Sequence, residues 1–289
     1  MRWGGWNEAV ARGMNTFVFN LALPALLFNL MSGVGRLPRV DGRLLGVFFG
    51  ACLLTFLVGR IVAASLLHLD GTAASILAVS GIFSNNVLLG LPLARVAIGP
   101  HAVPAVALIL VFNALSLWTL VSVSIEWSRH GSPSLAGFRA TLLALLRNPI
   151  VMSIIGGTLF GLSGVHLPGV LDATLRQVAE PAAPLSLIVL GMGLAEYAVH
   201  AQASLIVTIC VLKLLCQPLL VWALARATGL PTLESEVAVM LGSLPVGANV
   251  YLMAAQYQRL EGTVAASLVI STALSALSTP LFLVLLQAG

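Results

Sequence analysis

Residues 83–99 read FSNNVLLGLPLARVAIG, inside an apolar run, 72–98, long enough to cross a bilayer. Two adjacent asparagines, Asn85 and Asn86, and the triplet Gly90-Leu91-Pro92 are costly in that setting. A proline inside a helix removes one backbone hydrogen bond and crowds the carbonyl one turn back. In hydrocarbon the freed groups find no water. Broken backbone therefore survives only against protein or a wet cavity.

The rest of the chain is equally apolar. Of its 289 residues 59% are hydrophobic and 8% charged, with a mean hydropathy of +1.03. A soluble domain carries about 25% charged residues. Apolar blocks of about twenty residues recur, the length a transmembrane helix needs. They predict an all-α polytopic membrane protein with nine spans, near 14–33, 43–67, 72–98, 102–127, 147–165, 173–195, 204–229, 235–257 and 264–287. The net charge of +4 comes from arginines spread over loops, with Lys213 the single lysine. That distribution suits orientation in a bilayer and gives no reason to expect nucleic acid. Loop 128–146 holds Arg129 and Arg139 and no acid, which predicts a cytoplasmic location, with the N-terminus on the same side. Loop 34–43, on the opposite side, also carries Arg36, Arg39 and Arg43. Cys52, Cys210 and Cys216 lie in apolar segments without CxxC or histidine spacing and read as packing residues.

The broken stretch has a partner. LLGLPLA in the third span is matched by LGSLPVGANVY in the eighth. Five spans apart, the two run in opposite directions across the membrane. A basic residue precedes each: Arg60 lies 32 residues before Pro92, and Lys213 lies 32 before Pro245. LALPALLFNLM in the first span parallels PAAPLSLIVLGM in the sixth. Spans one to four thus match spans six to nine as two inverted repeats. The fifth span has no counterpart, so the first repeat lacks its first helix, either upstream of Met1 or lost.

Two broken helices at matched places predict a cavity near the midplane. Pro92 and Pro245 are each expected to start a second half-helix, with Gly90 and Gly242 easing the turn before it. Unpaired N–H groups at such starts carry partial positive charge and suit an anion such as a carboxylate. Asn85 and Asn86 before one break, and Asn249 after the other, offer uncharged donors and acceptors. They can satisfy broken backbone, hold a ligand, or both. Lys213 and Arg60 cost about 2.5–3.5 kcal/mol each at a helix centre. Each is either a counter-charge beside the site or a structural partner for helix-end carbonyls or for Glu180. Asn113, by contrast, reads as a bridge between helices.

No carboxylate lies near either break, which argues against an acidic cation site. Sodium held by carbonyls and hydroxyls stays open. His68, His101, His166 and His200 sit at span ends and His130 in a loop, so no catalytic or metal constellation forms and no cofactor is implied. A secondary carrier for a small organic anion leads; an anion channel or an intramembrane enzyme is the alternative.

FSNNVLLGLPLARVAIGPHAV resembles the signature of the auxin efflux carrier family, as do LKLLCQPLLVWAL, LPVGANVYLMAAQY with STALSALSTPLFLVLLQ, LALPALLF and RNPIVMSIIGG. The short 128–146 loop resembles bacterial members, which places the chain in the inner membrane. The resemblance implies a ten-helix fold related to bile-acid transporters. Its scaffold domain would be 14–33 with 147–195. Its moving transport domain would be 43–127 with 204–287, broken at 72–98 and 235–257. It implies an elevator-like cycle, a small carboxylate substrate, and crossover prolines at Pro92 and Pro245. Substrate contacts would fall at Asn86 and Asn249, with Asn85, Gly90 and Lys213 as further candidates. Proton or sodium coupling and a homodimer stay open.

Overall fold

The computed structural model describes residues 8–33, 40–130, 149–182 and 202–287, with positions 143, 146, 147, 184, 185 and 188 between them. Most of loop 128–146, most of the second half of the sixth expected span and His200 lie outside the described residues.

The described chain is helical, and no strand occurs in it. Helices α1 (Glu8–Phe17) and α2 (Leu23–Ser32) are joined by a π turn, Val18–Ala22. Then follow α3 (Arg43–Ser65), α4 (Gly71–Ser80), a second π turn (Asn86–Gly90), α5 (Leu91–Ala97), a 3₁₀ turn (Pro100–Ala102) and α6 (Val103–His130). Next come α7 (Pro149–Leu162), α8 (Gly169–Ala179), α9 (Ala203–Val211), a third π turn (Leu212–Cys216) and α10 (Gln217–Thr228). The described chain closes with α11 (Thr232–Ser243), α12 (Ala248–Tyr257) and α13 (Glu261–Gln287). Among the described residues four helices are long and apolar enough to cross a membrane: Arg43–Ser65, Pro100–Ser128, Ala203–Thr228 and Glu261–Leu286. The 23 residues of α3 rise about 34 Å at 1.5 Å each, against a hydrocarbon core of about 30 Å. This helix is apolar all round. Leu44, Phe48 and Cys52 are buried, while Leu53, Leu57 and Ile61 are exposed, as a lipid-facing surface allows.

A large core runs from Leu44 on α3 to Phe282 on α13, with α3 packed on α4 and α10, α4 on α6, and α11 on α10 and α13. A second core gathers Val18, Leu23, Leu27 and Met31 with Ile154 and Ala182, and takes in Leu88 and Ala107 from the main body. Here α2 and α7 approach closely. A Cβ on Gly157 would lie 2.7 Å from the Phe28 carbonyl oxygen, and one on Gly161 2.6 Å from that of Met31. Small residues at these two positions let the backbones touch.

The three π turns share a cause. Each is followed, at the second position of the next helix, by a proline: Pro24, Pro92 and Pro218. The N–H of Leu23, Leu91 and Gln217 bonds the carbonyl five residues back, at Val18, Asn86 and Leu212. One extra residue in the turn moves aside the carbonyl that the proline ring would strike.

Gly90-Leu91-Pro92 is therefore a bulge in a helical run and not a break. Pro92 starts no half-helix and is exposed on the surface. The expected crossover proline of the first broken helix is corrected: that helix opens after Gly81 and resumes at Asn86. Gly90 and Gly242 likewise lie within helical turns and not at the openings. In the second opened helix Pro245 does stand in the gap, between Ser243 and Ala248. The limits of the two opened helices are evenly offset: Gly71 and Thr232, Ser80 and Ser243, and Asn86 and Ala248 lie 161, 163 and 162 residues apart. Matching Pro92 to Pro245 uses a separation of 153 and is eight to ten residues short.

Candidate functional site

The two openings meet. Ser84 and Val246 form an isolated antiparallel bridge. The Asn85 N–H donates to the Pro245 carbonyl at 3.0 Å, and the Gly247 N–H to the Phe83 carbonyl at 2.7 Å. Each break thus satisfies backbone groups that the other leaves unpaired. Gly247 has no side chain because none fits: a Cβ there would lie 2.9 Å from the Ser84 carbonyl oxygen.

Neighbouring helices satisfy the remaining ends. The Val246 N–H donates to Ser271 Oγ at 3.1 Å, and Thr279 Oγ1 donates to the Ser243 carbonyl at 3.0 Å, both from α13. Lys213, fully buried, donates from Nζ to the Gly242 carbonyl and to Gln217 Oε1, each at 2.6 Å. Gln217 Nε2 passes the chain on to the Ile82 carbonyl at 3.0 Å. Lys213 and Gln217 together bind the carbonyl ends of both first half-helices. Helix C-termini carry partial negative charge, so a cation is stabilising there. Of the roles expected for Lys213, the partner of helix-end carbonyls is the one the geometry displays. Arg60 binds elsewhere, at the start of α4, donating to the Gly71 carbonyl at 2.6 Å and to Ser75 and Ser128 hydroxyls at 3.2 Å each.

A cavity lies at the crossing, with an empty volume of about 530 Å3 counting its open mouth. Residues 83–88 and 247–249 line it, with Leu110 and Asn113 of α6, Phe19 and Leu23 from the first helices, and Ile154 of α7. Both second half-helices begin in this lining, at Asn86 and Ala248. The first turn of a helix leaves N–H groups without an intrahelical partner. Side-chain polar atoms add to these. Ser84 Oγ, Asn85 Nδ2, both polar atoms of Asn86 and Asn113 Oδ1 are buried without a hydrogen-bond partner. Each such group costs about 1–3 kcal/mol when left unmade. Five gathered on one cavity mark a place where water or a ligand completes them.

Of the expected site residues, the structure brings Asn85, Asn86 and Asn249 to this cavity and puts Pro245 in the crossing behind it. Gly90, Pro92 and Lys213 are not in the lining. Gly90 instead packs against α11, where a Cβ would meet Leu241 Cδ2 at 2.7 Å. Asn113 and Ser84 are also in the lining; sequence reasoning reads Asn113 only as a bridge between helices and does not single out Ser84. The signal for Asn113 was a lone side-chain amide within 28 otherwise largely apolar helical residues. What a sequence lacks is the depth that aligns it with Asn86.

Comparison with known proteins follows the same line. The model of a family described as "Membrane transport protein" matches residues 1–283. A "Putative malonate transporter" of Rhizobium meliloti (strain 1021) is 28% identical over 283 residues, 96% of this chain and 87% of the relative. The "Uncharacterized transporter YfdV" of Escherichia coli (strain K12) is 23% identical over 294 residues, 96% of this chain and 89% of the relative.

Proposed function

Because the chain belongs to the auxin efflux carrier family of membrane transport proteins, we propose that it is a secondary permease for a small organic anion, a carboxylate, bound where the two broken helices cross. The observation that carries this is the set of unpartnered polar atoms of Ser84, Asn85, Asn86 and Asn113 on one cavity. Two helix starts share that lining, and their partial positive charge suits an anion. The name of the Rhizobium meliloti relative supports a carboxylate.

The wider architecture follows from the same features. Matching helix limits and an antiparallel crossing support two inverted repeats within nine spans. Segments 14–33 and 147–195 are assigned to a scaffold, and 43–127 and 204–287 to a transport body. The cavity lies where the two meet, since Phe19, Leu23 and Ile154 come from the first and the asparagines from the second. Movement of the transport body against the scaffold would expose the crossing to either side in turn, in the inner membrane of a bacterium. Proton or sodium coupling and a homodimer belong to the same proposal and are read from transport and mass measurements.

Counterflow in proteoliposomes tests it. Unlabelled carboxylate inside the vesicles should accelerate saturable uptake of labelled carboxylate outside. Uptake that neither saturates nor responds to internal anion would instead describe a channel.

A further inference from the structure

We propose that the crossing selects singly charged anions with a short apolar body, and that it takes a dicarboxylate only in its half-protonated form. This rests on the crossing being the substrate site of a carboxylate permease. Among the described residues that line the cavity, none is charged. The polar atoms come from the crossing and from α6, whereas α7 and the first two helices contribute only carbon, through Phe19, Leu23 and Ile154. A ligand with one polar end and one apolar end matches that division. A ligand ionised at both ends leaves one carboxylate against hydrocarbon, which is costly without a partner.

The charge behind the cavity is also single. Lys213 is fully buried, and its bonds go to a carbonyl and a side-chain amide, both neutral. Through Gln217 it reaches the Ile82 carbonyl, next in the chain to cavity-lining Phe83. Among the described residues the ion pairs lie elsewhere, at Arg43–Asp41, Arg176–Asp172 and Arg259–Asp70. The helices around Lys213 place no carboxylate at its depth: α3 and α10 hold none, Glu234 and Glu236 lie near the start of α11, and Glu261 opens α13. Lys213 has no acidic partner, so the surroundings of the cavity offer at most one positive charge to a ligand. A second negative charge has no counterpart.

The test uses purified full-length protein in proteoliposomes and two labelled probes of similar shape, malonate and monomethyl malonate. The ester keeps one charge at every working pH, whereas malonate gains its second as pH rises. The ratio of malonate to ester uptake should fall about tenfold per pH unit above the second ionisation of malonate, as its monoanion is depleted. Taking the ratio cancels any pH dependence that the protein imposes on both. Ile154→Lys, which puts a cation on the apolar wall, should flatten that fall and raise malonate uptake at about pH 8 tenfold or more relative to the ester. A wild-type ratio that stays constant with pH, with both probes carried, overturns the charge selection and leaves the permease intact. Failure to carry either probe at any pH overturns the carboxylate reading of the site itself, and this inference with it.

Discussion

Gly247→Ala tests the crossing at its narrowest point. The added methyl would lie 2.9 Å from the Ser84 carbonyl oxygen and 3.2 Å from Phe83 Cδ1. The nearer contact is not relieved by a rotamer change, because its atom is backbone. The two segments must separate, and the bonds Gly247–Phe83, 2.7 Å, and Asn85–Pro245, 3.0 Å, lengthen. Overpacking costs about 1–3 kcal/mol, and each weakened hydrogen bond about 1 kcal/mol. A loss of about 3 kcal/mol corresponds to a melting shift of about 6 °C in a chain of this size. The assay is a thermal melt of purified protein paired with uptake in proteoliposomes. Gly262→Ala is the control, since nothing lies within 4 Å of a Cβ there. Uptake should fall at least tenfold in Gly247→Ala and stay at wild-type level in Gly262→Ala. A Gly247→Ala protein that melts and transports like wild type would refute the close antiparallel contact.

Other consequences are separable. Pro92→Ala should leave melting and uptake within about twofold of wild type, because Pro92 is exposed and its helix already accommodates it through a π turn; a collapse of uptake with folding retained would return Pro92 to the site. Gly161→Ala sets a methyl 2.6 Å from the Met31 carbonyl oxygen and should cost about 1–3 kcal/mol of stability in a melt, through the α2–α7 contact. Asp70 caps α4, accepting from the N–H groups of Thr72 and Ala73 at 2.9 Å each, with Arg259 at 3.4 Å. The Ala73 N–H foremost, with that of Thr72 and the Arg259 charge, lowers its carboxyl pKa from the ordinary value. A lowered folded pKa means that the capping stability is complete above about pH 4, the unfolded value, and is lost as pH falls through the folded one. Asp70→Ala should therefore melt lower than wild type at neutral pH, by about 1 kcal/mol of stability, and the gap should close only in acid. A gap that widened on acidification would contradict the cap.

The helices were legible because apolar length is a composition signal that survives any packing. All nine expected stretches carry helix among their described residues. That two helices open was legible as well, from Gly90-Leu91-Pro92 and from the stretch around Pro245, with Asn85-Asn86 costly beside the first. The position of the first break was not. Proline reads as a breaker in sequence, yet a π turn removes its clash, and Pro24, Pro92 and Pro218 all sit after one. The true opening, 81–85, carries no proline and is held by bonds to residues more than 150 positions away. Lys213 was legible as costly, but its purpose was not, since the Gly242 carbonyl it binds lies 29 residues on. Asn113 was passed over for the same reason: its neighbours in the cavity come from other helices.

The central claim is that an organic anion completes the unpartnered side-chain amides at the crossing. Equilibrium binding of labelled malonate at about pH 5 to purified wild type and Asn86→Ala, with melting curves for both, tests it most directly. Asn86 makes no side-chain hydrogen bond in the fold, so its removal should leave stability unchanged or raise it. Binding should weaken about tenfold or more, the equivalent of one lost hydrogen bond to a charged ligand. Malonate affinity equal to wild type in a folded Asn86→Ala protein would contradict the account.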